Sequence, residues 1–84
     1  MEYGRLVFNK YNGHYGIKYS NTETWVTDKL NNGDSISMYD YTVDHWISEQ
    51  IISSPPGNTQ ESWSLKVTGR KGIELHNVLV KTDE

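Results

Sequence analysis

Apolar and polar residues alternate with a period of two through most of this chain, and helical spacing is nearly absent. Trp63, Leu65 and Val67 share one parity, with Ser62, Ser64, Lys66 and Thr68 on the other, as in a strand half buried on an antiparallel sheet. Tyr15, Ile17 and Tyr19 alternate with Gly16, Lys18 and Ser20 in the same way, and Ile36 and Met38 with Ser35, Ser37 and Tyr39. The run His45 to Ser53 carries Trp46, Ile47, Ile51 and Ile52 in mixed phase and is also read as a strand. The only stretch with any helical look, Trp25 to Leu30, is too short for a helix.

Turn chemistry falls between these runs. Asn12-Gly13 separates Leu6–Asn9 from Tyr15–Tyr19 and tolerates positive φ, as hairpin turns require. Asn31-Asn32-Gly33-Asp34 introduces the next strand, Pro55-Pro56-Gly57-Asn58 interrupts any ladder because proline has no N–H, and Gly69-Arg70-Lys71-Gly72 makes another turn. Ile73 and Leu75 then fall out of phase with Val78 and Val80. One extra residue near His76-Asn77, in a bulge or a single 3₁₀ turn, would return both pairs to the core. Five to six short antiparallel strands in 84 residues make one all-β domain over residues 1–84, with its core at about 3–81. An SH3-like barrel is the architecture expected, because closure hides sheet edges and this fold places a tight turn before its last strand. If an edge stays open, two copies can pair across a two-fold axis, giving a homodimer.

Composition narrows the chemistry. There is no cysteine, which excludes disulfides, thiolate metal sites and cysteine nucleophiles. No apolar run approaches the ~20 residues that cross a bilayer, and Met1-Glu2-Tyr3-Gly4 does not open like a signal peptide, so a cytoplasmic location is expected. Charge divides unevenly. Residues 1–20 have three basic residues against one acidic (+2), residues 21–64 one against seven (−6), and residues 65–84 four against three (+1). If the middle segment folds onto one face, that face repels phosphates and attracts basic protein surfaces.

Catalytic chemistry finds little support. His14, His45 and His76 are scattered without a metal-ligand spacing, and neighbours such as Asp44 and His45 point to opposite faces of a strand. Ser53, Ser54, Ser62 and Ser64 lie in no nucleophile elbow. Gly69-Arg70-Lys71-Gly72 has the letters of a KH-domain loop but joins strands rather than helices. No catalytic residue, metal or cofactor is therefore assigned. The ten aromatic residues are the stronger lead, with Phe8 and Trp63 assigned to the core. Trp25, Tyr39, Tyr41 and Trp46 stand among Asp28, Asp40 and Asp44, and this acidic, aromatic-rich set is expected to dock a protein: the rings anchor and the carboxylates steer. The alternative is nucleic-acid binding through Arg5, Lys18, Lys66, Arg70 and Lys71.

The run Gly4-Arg5-Leu6-Val7-Phe8-Asn9, followed by Gly13-His14-Tyr15-Gly16-Ile17, resembles the opening of the DUF5348 family, small uncharacterised proteins of Firmicutes and of their mobile elements and phages. Leu30-Asn31-Asn32-Gly33 stands at that family's Leu-x-x-Gly step, Trp46-Ile47 at its central tryptophan and Trp63-Ser64-Leu65 at its late Trp-Tyr-Leu strand, so the similarity spans residues 4–81. His14 replaces the usual arginine, Ser64 the usual tyrosine, and the stretch Asp40–Asp44 is a further departure. The resemblance implies a small β-barrel in a phage or mobile-element setting. The partner it suggests is a host protein, such as a defence or nucleic-acid-handling protein whose basic groove an acidic face would inhibit. It assigns no catalytic residues.

Overall fold

The alternating runs become seven antiparallel strands in the computed structural model, which describes residues 3–81 and, of Tyr3, only the backbone. They are β1 (Tyr3–Asn9), β2 (His14–Tyr19), β3 (Trp25–Thr27), β4 (Ser35–Asp40), β5 (His45–Ser53), β6 (Trp63–Leu65) and β7 (Leu79–Lys81). Two 3₁₀ segments, Gln60–Ser62 and Gly72–Leu75, flank β6 in the chain, and there is no α-helix among the described residues. Glu2, Asp83 and Glu84, which enter the segment charges, lie outside the described residues.

The strand order is β3-β2-β1-β7-β4-β5-β6. The last strand sits between the first and the fourth, pairing Val80 with Gly4 on one side and with Met38 on the other. The chain is thus an all-β sheet, but the barrel expected from the sequence is not closed: β3 and β6 end the strand order and do not pair with each other. Side chains rather than a ladder draw the two ends together. Trp63 Nε1 donates to the Gly13 carbonyl at 2.9 Å, and the Tyr15 hydroxyl donates to the Gly72 carbonyl at 2.8 Å. Nine-residue β5 makes the bend, pairing with β4 through residues 45–50 and with β6 through residues 51–53.

Parity explains the core. Leu6, Tyr15, Ile17, Ile36, Met38, Ile51, Trp63, Leu65, Leu75 and Val80 are fully buried, with Leu30 beside them and Phe8 packed against the cluster. Each such side chain contributes ~1.5–3 kcal/mol on leaving water, which an 84-residue chain needs because its core is thin. The mixed phase of β5 resolves once Glu49 is seen on the inward parity between Ile47 and Ile51. The extra turn before the last strand is present as 3₁₀ segment Gly72–Leu75, followed by Asn77 at φ +64°, and it restores Leu75 and Val80 to the core. Two expectations need correction. Val67 is 64% exposed because residues 66–69 leave the strand for a turn, in which Gly69 N–H bonds the Leu65 carbonyl, and Ile73 is exposed on the 3₁₀ segment. The short strand β3 was not legible as a strand at all.

Candidate functional site

Strand register places the sequence-selected aromatics. On β4 the buried residues are Ile36 and Met38, so Tyr39 points outward, and it stands directly opposite Trp46 of β5. Their rings meet edge to face at 5.4 Å between centroids, and Tyr41 joins Tyr39 in the same geometry at 4.9 Å. Lys81 on β7 sets its ammonium over the Trp46 ring, 4.4 Å from the centroid. The connection between β4 and β5 is a four-residue loop in which Asp44 N–H bonds the Asp40 carbonyl at 2.7 Å. Asp40 Oδ1 accepts from Thr42 N–H at 2.8 Å, and Asp44 takes the positive φ of +58° that asparagine and aspartate tolerate. The Tyr39 hydroxyl donates to the Asp44 carboxylate. That bond, followed by partial burial, raises the phenol above its ordinary pKa of 10.0. Both carboxylates therefore shape the hairpin tip while keeping their charge at its rim. Tyr41 and Val43, 74% and 51% exposed, form its apolar summit.

The seven residues selected as one docking face do not lie together. Tyr39, Asp40, Tyr41, Asp44 and Trp46 share the β4–β5 end of the sheet, whereas Trp25 and Asp28 belong to and follow β3. Four steps of the strand order separate β3 from β4, ~19 Å measured along the sheet. Nor does the acidic middle segment make one face. Glu23 bridges Arg5 and Lys18 at 3.0 and 2.8 Å, Asp34 accepts from Asn31 N–H at 2.7 Å, and Glu61 packs against Gly72. Glu49, 3% exposed, accepts from the backbone N–H groups of Val67 and Thr68, both at 2.7 Å. It is one of the seven acidic residues of the middle segment, yet its charge lies inside the protein; the signal that could have found it is its inward parity within an otherwise apolar strand phase.

The basic residues also separate. Arg5 and Lys18 face each other across β1 and β2, while Lys66, Arg70 and Lys71 follow β6 in the chain, Lys66 and Arg70 lining different grooves. The hydrogen bond from Lys18, then the charge of Lys18 and of Arg5, lowers the Glu23 carboxyl from its ordinary pKa. Trp25 lies across Gly16, whose missing side chain leaves room for the ring: a Cβ there would come within 2.7 Å of it. Arg70 lines a shallow groove with Tyr39, Tyr41, Glu74 and His76.

The histidines are apart and structurally engaged or exposed. His14 Nδ1 shares a hydrogen bond of 2.8 Å with the Leu30 carbonyl and its ring leans on Trp63, His45 Nδ1 lies 3.2 Å from the Trp46 carbonyl, and His76 is exposed. Ser62 is buried in hydrogen bonds to Gly57 N–H and the Thr59 hydroxyl. Among the described residues no group of three or more His, Asp or Glu side chains is placed to hold a metal ion, and no helix is long and apolar enough to cross a membrane. No family model, curated protein or solved structure matches this chain.

Proposed function

We propose that this protein is a non-catalytic binding module that docks on another protein through the tip of its β4–β5 hairpin. The carrying observation is the outward cluster in which Tyr39 meets both Tyr41 and Trp46 edge to face, capped by exposed Tyr41 and Val43. Large rings held rigid in the free protein lose little entropy on binding, which is what interface anchors require. Asp40 and Asp44 give the rim a negative charge that steers a basic surface, and Lys81 over Trp46 fixes the inner edge. The resemblance to DUF5348 supplies the setting: a cytoplasmic phage or mobile-element protein acting on a host protein with a basic nucleic-acid groove, in the manner of an inhibitor. An SH3-like ancestry belongs to the same proposal, supported by the pairing of first with last strand and the 3₁₀ turn before the latter.

Immobilised protein and host lysate test this directly, with the retained protein then purified and its affinity measured. Tyr41→Ala and Val43→Ser lie outside the buried core, so the fold survives, and loss of an anchoring ring weakens binding by about 30-fold, the ~2 kcal/mol of an interface hot spot. Asp44→Asn keeps the positive φ accessible but removes the charge, so association slows and its salt dependence shrinks. Retention of the same protein, equally well, by all three variants refutes the assignment of this tip as the interface.

A further inference from the structure

The opposite end of the sheet carries a second surface of different character. Its residues combine the two features a single-stranded nucleic-acid platform needs, aromatic faces and cations following one path. Val7 and Trp25 line a groove of about 210 Å³ with Lys10, Tyr11 and Lys18 at its margin. The volume lies below the ~300–1,000 Å³ of sites that enclose a small molecule, so the groove offers a face to stack on rather than a cavity to fill. Tyr11 is 91% exposed, with Lys10 Nζ 5.9 Å from its ring centroid; Lys18 Nζ lies 4.7 Å from that of Trp25. Tyr11 and Trp25 are therefore each paired with an ammonium group.

Charge complementarity selects the occupant. Residues 3–30, which build this end, carry Arg5, Lys10, Lys18 and Lys29 against Glu23 and Asp28, a net of +2, although the whole chain is at −3. Folding has thus taken Trp25 out of the acidic segment of the sequence and set it among lysines. Glu23 occupies a telling place: its exposed carboxylate bridges Lys18 and Arg5 as a phosphate oxygen would, at 2.8 and 3.0 Å. Glu23 is 81% exposed while the Arg5 and Lys18 side chains are 25% and 15% exposed, and Arg5 Nη1 also donates to the Tyr19 and Thr22 carbonyls. A phosphate therefore reaches both cations from the side that the carboxylate now covers, exchanging one charge-assisted contact for another.

We infer that the β1–β3 face is a binding site for single-stranded nucleic acid, with a base stacked on Tyr11 or Trp25 and phosphates held by Lys10, Lys18 and Arg5, and with Glu23 acting as an internal competitor for the last two. This surface is independent of the hairpin tip and can be tested without its partner. The measurement is fluorescence anisotropy of a labelled oligothymidylate titrated with the full chain between ~50 and ~200 mM salt. The wild-type protein binds at low salt with a log–log salt slope of about −2, from three contacts at roughly −0.7 each. Tyr11→Ala weakens binding about tenfold through lost stacking. Lys10→Glu weakens it and makes the slope shallower by about 0.7. Glu23→Gln is the deciding variant, since it removes a competitor without adding a cation: binding tightens severalfold. Tyr41→Ala, at the other end of the sheet, leaves the titration unchanged. No anisotropy change at low salt overturns the inference, as does a Glu23→Gln variant that binds no better than wild type. Displacement by an acidic peptide as readily as by unlabelled oligothymidylate also overturns it, showing a cation patch for acidic proteins instead.

Discussion

Replacing Glu49 by glutamine tests whether one buried carboxylate holds the turn after β6. In the native protein its two oxygens accept the N–H groups of Val67 and Thr68 at 2.7 Å each, both bonds strengthened by the negative charge. Glutamine has nearly the same shape, but its carboxamide presents one acceptor and one donor. One backbone N–H keeps a neutral bond; the other faces the NH₂ group and is left without an acceptor in a site that is 3% exposed. Loss of a charged hydrogen bond removes ~1.5–3 kcal/mol and an orphaned buried donor adds ~1–3 kcal/mol, so a total of ~2.5–6 kcal/mol follows. At ~0.05–0.15 kcal/mol per residue the whole domain has ~4–13 kcal/mol. The substitution thus consumes a large share of it and lowers the melting temperature by roughly 10 °C or more. Urea denaturation followed by circular dichroism measures the loss, and amide hydrogen exchange locates it: Val67 and Thr68 lose protection more than Met38 in the core. A change below ~0.5 kcal/mol, the range of ordinary surface substitutions, refutes this account of the turn.

Two further outcomes follow from neighbouring features. Thr68 Oγ1 is buried with no hydrogen-bond partner, so Thr68→Val, which keeps the shape and deletes the hydroxyl, stabilises the protein by ~1 kcal/mol; destabilisation in the same denaturation assay would show a hidden partner. Burial raises the Tyr15 phenol above its ordinary value of 10.0, aided by the charge of Glu61 and opposed by the hydrogen bond from Gln60. The folded state therefore holds that proton more tightly than the unfolded state. Its contribution is fully present below pH 10 and is lost as pH rises through the raised value. Tyr15→Phe destabilises at neutral pH by losing the bond to the Gly72 carbonyl, and its stability falls less steeply than wild type above pH 10, as thermal melts at the two pH values report. Equal alkaline slopes for the two proteins would refute the burial argument.

Much of the fold was legible because alternation is a local property. Tyr15 and Ile17, Ile36 and Met38, and Trp63 and Leu65 declare their strands and inward faces by parity alone, and all six are buried. Asn12-Gly13 and Asn31-Asn32-Gly33-Asp34 mark turns through backbone preferences that act over two to four residues, and Gly13 and Gly33 do take positive φ. Strand β3 was missed because three residues are too few to establish a period, and it exists by pairing with β2 across a register shift at Ile17 and Lys18. The docking set was legible in part: Tyr39, Asp40, Tyr41, Asp44 and Trp46 converge because a hairpin joins them, a local connection.

Composition and parity in the sequence were thus sufficient to determine an antiparallel all-β domain with a thin core and without thiol chemistry. Three things were decided only in the assembled sheet: that β7 inserts between β1 and β4, that Glu49 turns inward to hold a backbone turn, and that Trp25 joins Lys18 rather than Trp46. Strand order, and with it which charges become neighbours, depends on contacts between residues far apart in the chain. Their pairing is chosen by the burial of the whole core, and no window of the sequence contains both partners.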